Sequence, residues 1–143
     1  DRRSVTGYCI FVFGNLVNWG SRKQVTIALS SAEAEYYALT DCIKEVLHIS
    51  NLMSEFKPLA LPVPVHIDNK GAGYMAENDI NNKRTKHIDI RYHFIREFIR
   101  NGTIELFYIE SAKNIADVFT KALPVGTFIG FTRQLFGLVE ARA

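Results

Sequence analysis

Apolar and polar residues alternate at the start of the chain and then change period. The run "GYCIFVF" from Gly7 to Phe13 is β-branched and aromatic, "GN" at Gly14 and Asn15 supplies a turn, and "LVNW" from Leu16 to Trp19 returns, which predicts a hairpin. In "QVTIAL", Gln24 to Leu29, Val25, Ile27 and Leu29 alternate with Thr26 and Ala28, as a half-buried third strand requires. Helical spacing then takes over from Ala32 to Phe56, until Lys57 and Pro58 stop it. "LPVPVHI" is a short extended run ending at Ile67, with Pro62 and Pro64 confined to its beginning. A short helix over 69–76 and a polar loop over 78–82 lead into a long amphipathic helix over 83–100. Ile88, Tyr92, Ile95 and Ile99 form its stripe, and "NG" at Asn101 and Gly102 closes it. "TIELFYI" over 103–109 reads as a last strand, and the tail over 114–138 as two helical pieces divided by Pro124. This order predicts an α/β fold with a mixed sheet, an antiparallel meander followed by strands joined through helices and therefore parallel.

The first helix divides two neighbouring glutamates. Ser30 followed by Glu33 fits a capping box, in which the serine takes the N-cap and the glutamate reaches back to the cap's N–H. From Glu35, steps of four and three residues give Leu39, Cys42, Val46, Ile49 and Met53, an apolar stripe, so Glu35 opens the buried face. Tyr37, Asp41, Lys44 and His48 mark the expected wet face. A carboxylate at that rim is costly unless paired, protonated or bound to a metal. Two readings stand for Glu35, a functional carboxylate and a rim residue leaning out to water.

Asp68 follows the strand ending at Ile67, where open α/β sheets place ligand sites, though an aspartate there also serves as a helix cap. Asp117 in "NIADVFTKAL" sits early in a helix, where a carboxylate also suits the helix dipole. Together, Glu35, Asp68 and Asp117 put carboxylates at the ends of three elements with no Cys or His cluster beside them. All-oxygen ligation of that kind suits Mg²⁺ or Mn²⁺.

Composition narrows the picture further. The chain has 143 residues, 48% of them hydrophobic and 22% charged, the size and balance of one globular domain, with no apolar run long enough to span a membrane. Cys9 and Cys42 lack metal spacing and read as buried thiols of a reducing compartment. A net charge of +2 announces no nucleic-acid partner by itself. Lys83, Arg84 and Lys86 nevertheless crowd the start of a helix whose dipole they oppose, a placement that either phosphate contact or ordinary surface charge explains. His87 and His93 lack zinc-protease spacing. The chain starts without an initiator methionine or a signal peptide, and is expected to be cut from something longer.

Four segments in order carry a resemblance: "ALSSAEAEYYAL" (28–39), "VHIDNKGA" (65–72), "KRTKHIDIRYHFIRE" (83–97) and "NIADVFTKALP" (114–124). They resemble the ribonuclease H domain that ends the copia-type retrotransposon polyprotein, downstream of reverse transcriptase. "DRRSVTGYCIF" and the tail around "FTRQLFGL" agree. The resemblance implies a ribonuclease H-like fold over residues 1–143 as a single domain. Residues 1–30 would hold the antiparallel strands, 31–123 the helices, parallel strands and site, and 124–143 the C-terminal helix.

The implied activity is endonucleolytic hydrolysis of the RNA strand of an RNA–DNA hybrid during reverse transcription. Its implied cofactor is two Mg²⁺ ions, with Mn²⁺ as a substitute, held by Glu35, Asp68 and Asp117; Ala38 supplies the small residue the family has three positions after its glutamate. Asn69, Lys83, Arg84, Lys86 and His87 are the candidates for contact with the hybrid. The implied partners are the hybrid and the reverse transcriptase domain of the same polyprotein, with no membrane, in a cytoplasmic virus-like particle or the nucleus. The family's first catalytic aspartate lies on a strand preceding "DRRS". This chain is therefore expected to lack one ligand and a central strand and to be impaired, and the rival reading is a hybrid-binding or structural module without catalysis. An integrase or transposase core on the same fold is disfavoured by the motif order.

Overall fold

The computed structural model describes residues 3–77 and 86–138, apart from the side chains of 75, 77 and 86–89. The chain divides into two compact units, Asp1–Ile27 with Ile115–Ala143, and Ala28–Asn114. It is a mixed α/β protein with one antiparallel and one parallel two-stranded sheet. No described helix is long and apolar enough to cross a membrane.

In the first unit, β1 (Val5–Val12) and β2 (Asn15–Lys23) form an antiparallel hairpin, with Val12 opposite Asn15. The turn therefore falls on Phe13 and Gly14, one residue earlier than the expected "GN". Their φ angles of 51° and 80° give the doubly left-handed turn that matches strand twist. Asn15 occupies the following position, where its Nδ2 donates to the Phe13 carbonyl at 3.1 Å. Ile10 pairs with Asn18 and Phe11 with Leu16, so Val17 is an extra residue, a β-bulge.

The expected third strand is not formed. β2 continues through Trp19 to Lys23, because Gly20 acts as a strand residue beneath Tyr8 rather than as a turn. A Cβ on Gly20 would stand 2.4 Å from the Tyr8 ring. The strand-like alternation of 24–29 consequently lies beyond the ladder. Gln24 ends it, its N–H donating to the Ser4 carbonyl at 2.8 Å and its Nε2 to Thr6 Oγ1 at 3.1 Å. Val25 and Leu29, each 83% exposed, and Ile27 at 55% have periodicity without a partner strand among the described residues.

A 3₁₀ turn, Ile115–Phe119, lies on β1, and α4 (Val125–Leu135) packs against it. Gly7 permits the first contact, since a Cβ there would meet Thr120 Cγ2 at 2.4 Å and the Ala116 carbonyl at 3.1 Å. Ser21 Oγ adds a hydrogen bond to the Phe119 carbonyl at 2.6 Å. As expected, Pro124 divides the tail, and Phe131 and Leu135 are the buried residues of α4.

The second unit contains α1 (Ser31–Ser54), β3 (Val63–Ile67), α2 (Lys70–Glu77), α3 (Lys86–Arg100) and β4 (Ile104–Tyr108). β3 and β4 pair in parallel, Val63 opposite Ile104 through Ile67 opposite Tyr108, as helical crossovers between them require. Helix α3 ends in the expected "NG". Gly102 takes φ 74°, its N–H donating to the Ile99 carbonyl and that of Thr103 to the Phe98 carbonyl, the paired bonds of a Schellman cap. Tyr36, Leu39, Ile43, Val65, Ile67, Ala72, Tyr92, Ile95 and Ile104 form the core. Side chains as deeply buried as Ile43, Ile95 and Ile104 contribute about 1.5–3 kcal/mol each.

Candidate active site

Helix α1 is capped largely as its sequence predicts. Ser30 is the N-cap, and its Oγ accepts from the Glu33 N–H at 3.1 Å. Glu33 does not close the box on Ser30 itself. Its Oε2 accepts from the N–H of Leu29 at 2.7 Å, one residue further out, while Oε1 accepts from the Tyr37 hydroxyl at 3.4 Å. Glu33 is thus committed to the helix start, and Glu35, half-buried, lies beside the core stripe.

That stripe is rotated from the expected one. The buried residues are Tyr36, Tyr37, Leu39, Thr40, Ile43 and Val46, so Cys42, Ile49 and Met53 are only half-buried. Tyr37, assigned to the wet face, is buried, because the Arg91 guanidinium of α3 lies 4.2 Å from its ring centroid and covers it. Arg91 Nη1 is buried with no hydrogen-bond partner among the described residues. Sequence pattern missed this pair, since a Tyr and an Arg from different helices share no spacing.

Asp68 follows the last residue of β3 and is half-buried. It is not the cap of α2. Asn69 is, its Oδ1 accepting from the Ala72 N–H at 3.0 Å. The starts of α1 and α2 approach each other, for a Cβ on Gly71 would lie 4.0 Å from the Ala32 Cβ. Glu35, one turn into α1, and Asp68, just before α2, therefore lie in one unit, on helices whose starts approach each other.

Asp117 belongs to the other unit. It lies within the 3₁₀ turn Ile115–Phe119 rather than in the expected helix. Its main-chain carbonyl accepts from the N–H groups of Thr120 and Lys121 and from Thr120 Oγ1. Its side chain is 13% exposed and ion-paired, Oδ2 lying 2.8 Å from Lys121 Nζ. The i, i+4 spacing of Asp117 and Lys121 is the sequence signal of this pair.

Among the described residues, no group of three His, Cys, Asp or Glu side chains is gathered to hold a metal ion. The oxygen donors of Glu35 and Asp68 suit a hard cation that keeps part of its water shell, which needs only one or two protein carboxylates. Lys83 and Arg84 lie outside the described residues, and Lys86 and His87 open α3 with their side chains outside that description. Neither cysteine forms a disulfide, both are only half-buried, and burial pushes the Cys9 thiol up to about 11.

The chain is 35% identical over 96% of its length to the retrovirus-related Pol polyprotein from transposon TNT 1-94 of Nicotiana tabacum. It is 32% identical over 94% to the corresponding polyprotein from transposon RE2 of Arabidopsis thaliana, and 26% identical over 88% to the Ty1-DR5 Gag-Pol polyprotein of Saccharomyces cerevisiae. It spans 10%, 9% and 7% of those three relatives. No protein-family model matches the chain, and no solved structure does. Its homologues are copia-type retrotransposon Pol polyproteins, of which it corresponds to one short module.

Proposed function

We propose that this polyprotein module is a ribonuclease H-like, metal-dependent endonuclease acting on the RNA strand of RNA–DNA hybrids, with Glu35, Asp68 and Asp117 as its carboxylates. The observation that carries the reading is a division of labour at two helix starts. At α1 the cap is made by Ser30 and Glu33, and at α2 by Asn69. Glu35, one turn into α1, and Asp68, just before the Asn69 cap, are both half-buried, and neither is the cap residue of its helix. The starts of α1 and α2 approach each other, and the oxygen donors of Glu35 and Asp68 suit a hard cation that keeps part of its water shell.

In this reading Glu35 and Asp68 hold Mg²⁺, or Mn²⁺ in its place, through oxygen alone. When bound, the metal supplies the Lewis acidity that activates water and steadies the leaving oxygen. The protein supplies position: α1 fixes Glu35 by packing Tyr36 and Leu39 into the core, and the parallel β3–β4 pair fixes Asp68 through Ile67. Asp117, whose carboxylate is ion-paired with Lys121, is the third proposed carboxylate. Asn69, Lys83, Arg84, Lys86 and His87 are the proposed contacts to the hybrid, and the reverse transcriptase domain of the same polyprotein is the proposed neighbour. A cytoplasmic virus-like particle or the nucleus is the setting such a role requires.

A second reading, a hybrid-binding module without catalysis, is favoured by one observation, the Lys121 ammonium already occupying the Asp117 carboxylate. A cleavage assay separates the two. With a labelled RNA–DNA hybrid and Mg²⁺, the nuclease reading expects RNA-strand products, from this chain or from one extended upstream, that vanish in Glu35→Gln and Asp68→Asn. Binding of the hybrid with no cleavage by this chain, or by one extended upstream, selects the second reading.

A further inference from the structure

Helix α2 and the parallel strand pair enclose a second feature, whose wall includes Asn69, the residue after Asp68. It is a cleft of about 300 Å³ walled by Ile67, Lys70, Gly73, Tyr74, Leu106 and Tyr108. Its floor is apolar and depends on Gly73, where a Cβ would come within 3.1 Å of Ile67 Cδ1. Its rim carries two aromatic rings that stay largely in solvent, Tyr74 at 62% and Tyr108 at 50% exposure. Lys70 is its cation. It opens α2, where positive charge opposes the helix dipole, and its Nζ lies 4.8 Å from the Tyr108 ring centroid, held at the aromatic rim. Among the described residues, no carboxylate lines the cleft.

An apolar slot with aromatic walls and, among the described residues, one cation and no acid is complementary to a flat ring that carries a negative group. A nucleotide has that chemistry, its base stacking on the rings and its phosphate meeting the ammonium. An acidic peptide fits less well, since it brings several charges to one lysine and no ring to the slot. The volume is at the small end of ligand sites, enough for one ring system and too little for a duplex. A base inside a duplex is already stacked on its neighbours, so only an unpaired one can enter.

We propose that the cleft between α2 and β4 binds an unstacked base of single-stranded nucleic acid, with Tyr74 and Tyr108 as stacking faces and Lys70 as the phosphate contact. The inference rests on the nucleic-acid reading of the module and adds to it a grip on single strand flanking the hybrid.

Fluorescence anisotropy of a labelled short oligouridylate tests it on the full chain, beside an abasic oligomer of equal length and a blunt RNA–DNA hybrid. Binding of the oligouridylate is expected to weaken by at least about fivefold in Tyr74→Ala and in Lys70→Ala, to survive in Tyr74→Phe, and to weaken comparably for the abasic oligomer. Tyr74 is exposed, and a thermal melt checks that each variant folds. Equal binding of the abasic oligomer, an unaffected Tyr74→Ala, or no binding of oligouridylate by the wild-type chain overturns the inference. The blunt hybrid is scored separately. If oligouridylate binds while the hybrid is neither bound nor cleaved, the nuclease and hybrid-binding readings fail and the cleft stands.

Discussion

The Glu33 carboxylate accepts the Leu29 amide at 2.7 Å, two residues before α1 begins, and thereby ties the approaching chain to the helix. Glu35 lies two positions further on, about 200° around the helix, and cannot share that task. Glu33→Ala is therefore expected to lower stability by about 1 kcal/mol in urea unfolding while hybrid cleavage changes little. Glu35→Gln should do the reverse, abolishing cleavage. Equal loss of activity in the two variants would reject the division between them.

The ion pair of Asp117 and Lys121 competes with any cation that Asp117 is to hold. Removing the ammonium in Lys121→Ala leaves a half-buried carboxylate in want of positive charge. The Mg²⁺ concentration giving half-maximal cleavage should fall, by about fivefold at most, because a pair with an exposed lysine is worth up to about 1 kcal/mol. A Mg²⁺ titration of cleavage rate reads it. An unchanged or raised requirement would remove Asp117 from the metal set.

Gly7 allows the 3₁₀ turn that carries Asp117 to lie on β1. Gly7→Ala would press its methyl against Thr120 Cγ2 and the Ala116 carbonyl, an overpacking expected to cost about 1–3 kcal/mol. Adding Thr120→Ser removes the methyl that stands nearest and should restore part of the loss. Denaturant midpoints of the single and double variants are the measurement, and absence of any rescue would show that the backbone contact alone decides the cost.

Burial raises the Cys9 thiol from an ordinary 9.0 to about 11, which bears on both reactivity and stability. In a Cys42→Ala background at about pH 8, labelling of folded Cys9 should be about a hundredfold slower than in urea, in proportion to its lost thiolate. Between pH 9.0 and about 11 the unfolded thiol ionises while the folded one keeps its proton. The folded state then binds more protons, so this group's contribution makes stability fall as pH rises through that window. Cys9→Ala should flatten that part of the stability profile, and an unaltered slope would show that the thiol is not desolvated.

Much of the second unit was legible because its signals are local. Ser30 with Glu33, the stop at Lys57 and Pro58, the short strand ending at Ile67, and "NG" after α3 each mark an element boundary through chemistry a few residues long. The failures are long-range. Val25, Ile27 and Leu29 have the period of a strand, but period does not supply a neighbour to pair with. Tyr37 reads as solvent-facing until Arg91 arrives from another helix to cover it. The carboxylates were found by their places at element ends, whereas the 3₁₀ geometry around Asp117 depends on Gly7 and the hairpin beneath it.

The parallel pairing of β3 with β4 also has a kinetic side. The hairpin of β1 and β2 closes through a two-residue turn and can form on the microsecond scale, as hairpins do. Val63 can meet Ile104 only after the whole of α2 and α3 has been drawn into the loop between them. The entropy of closing that loop must be met before the first parallel bond repays it. In pulsed hydrogen exchange during refolding, the amides of β1 and β2 should gain protection early and those of β4 late, with the shaping of the Asp68 end of β3 following the same slow step.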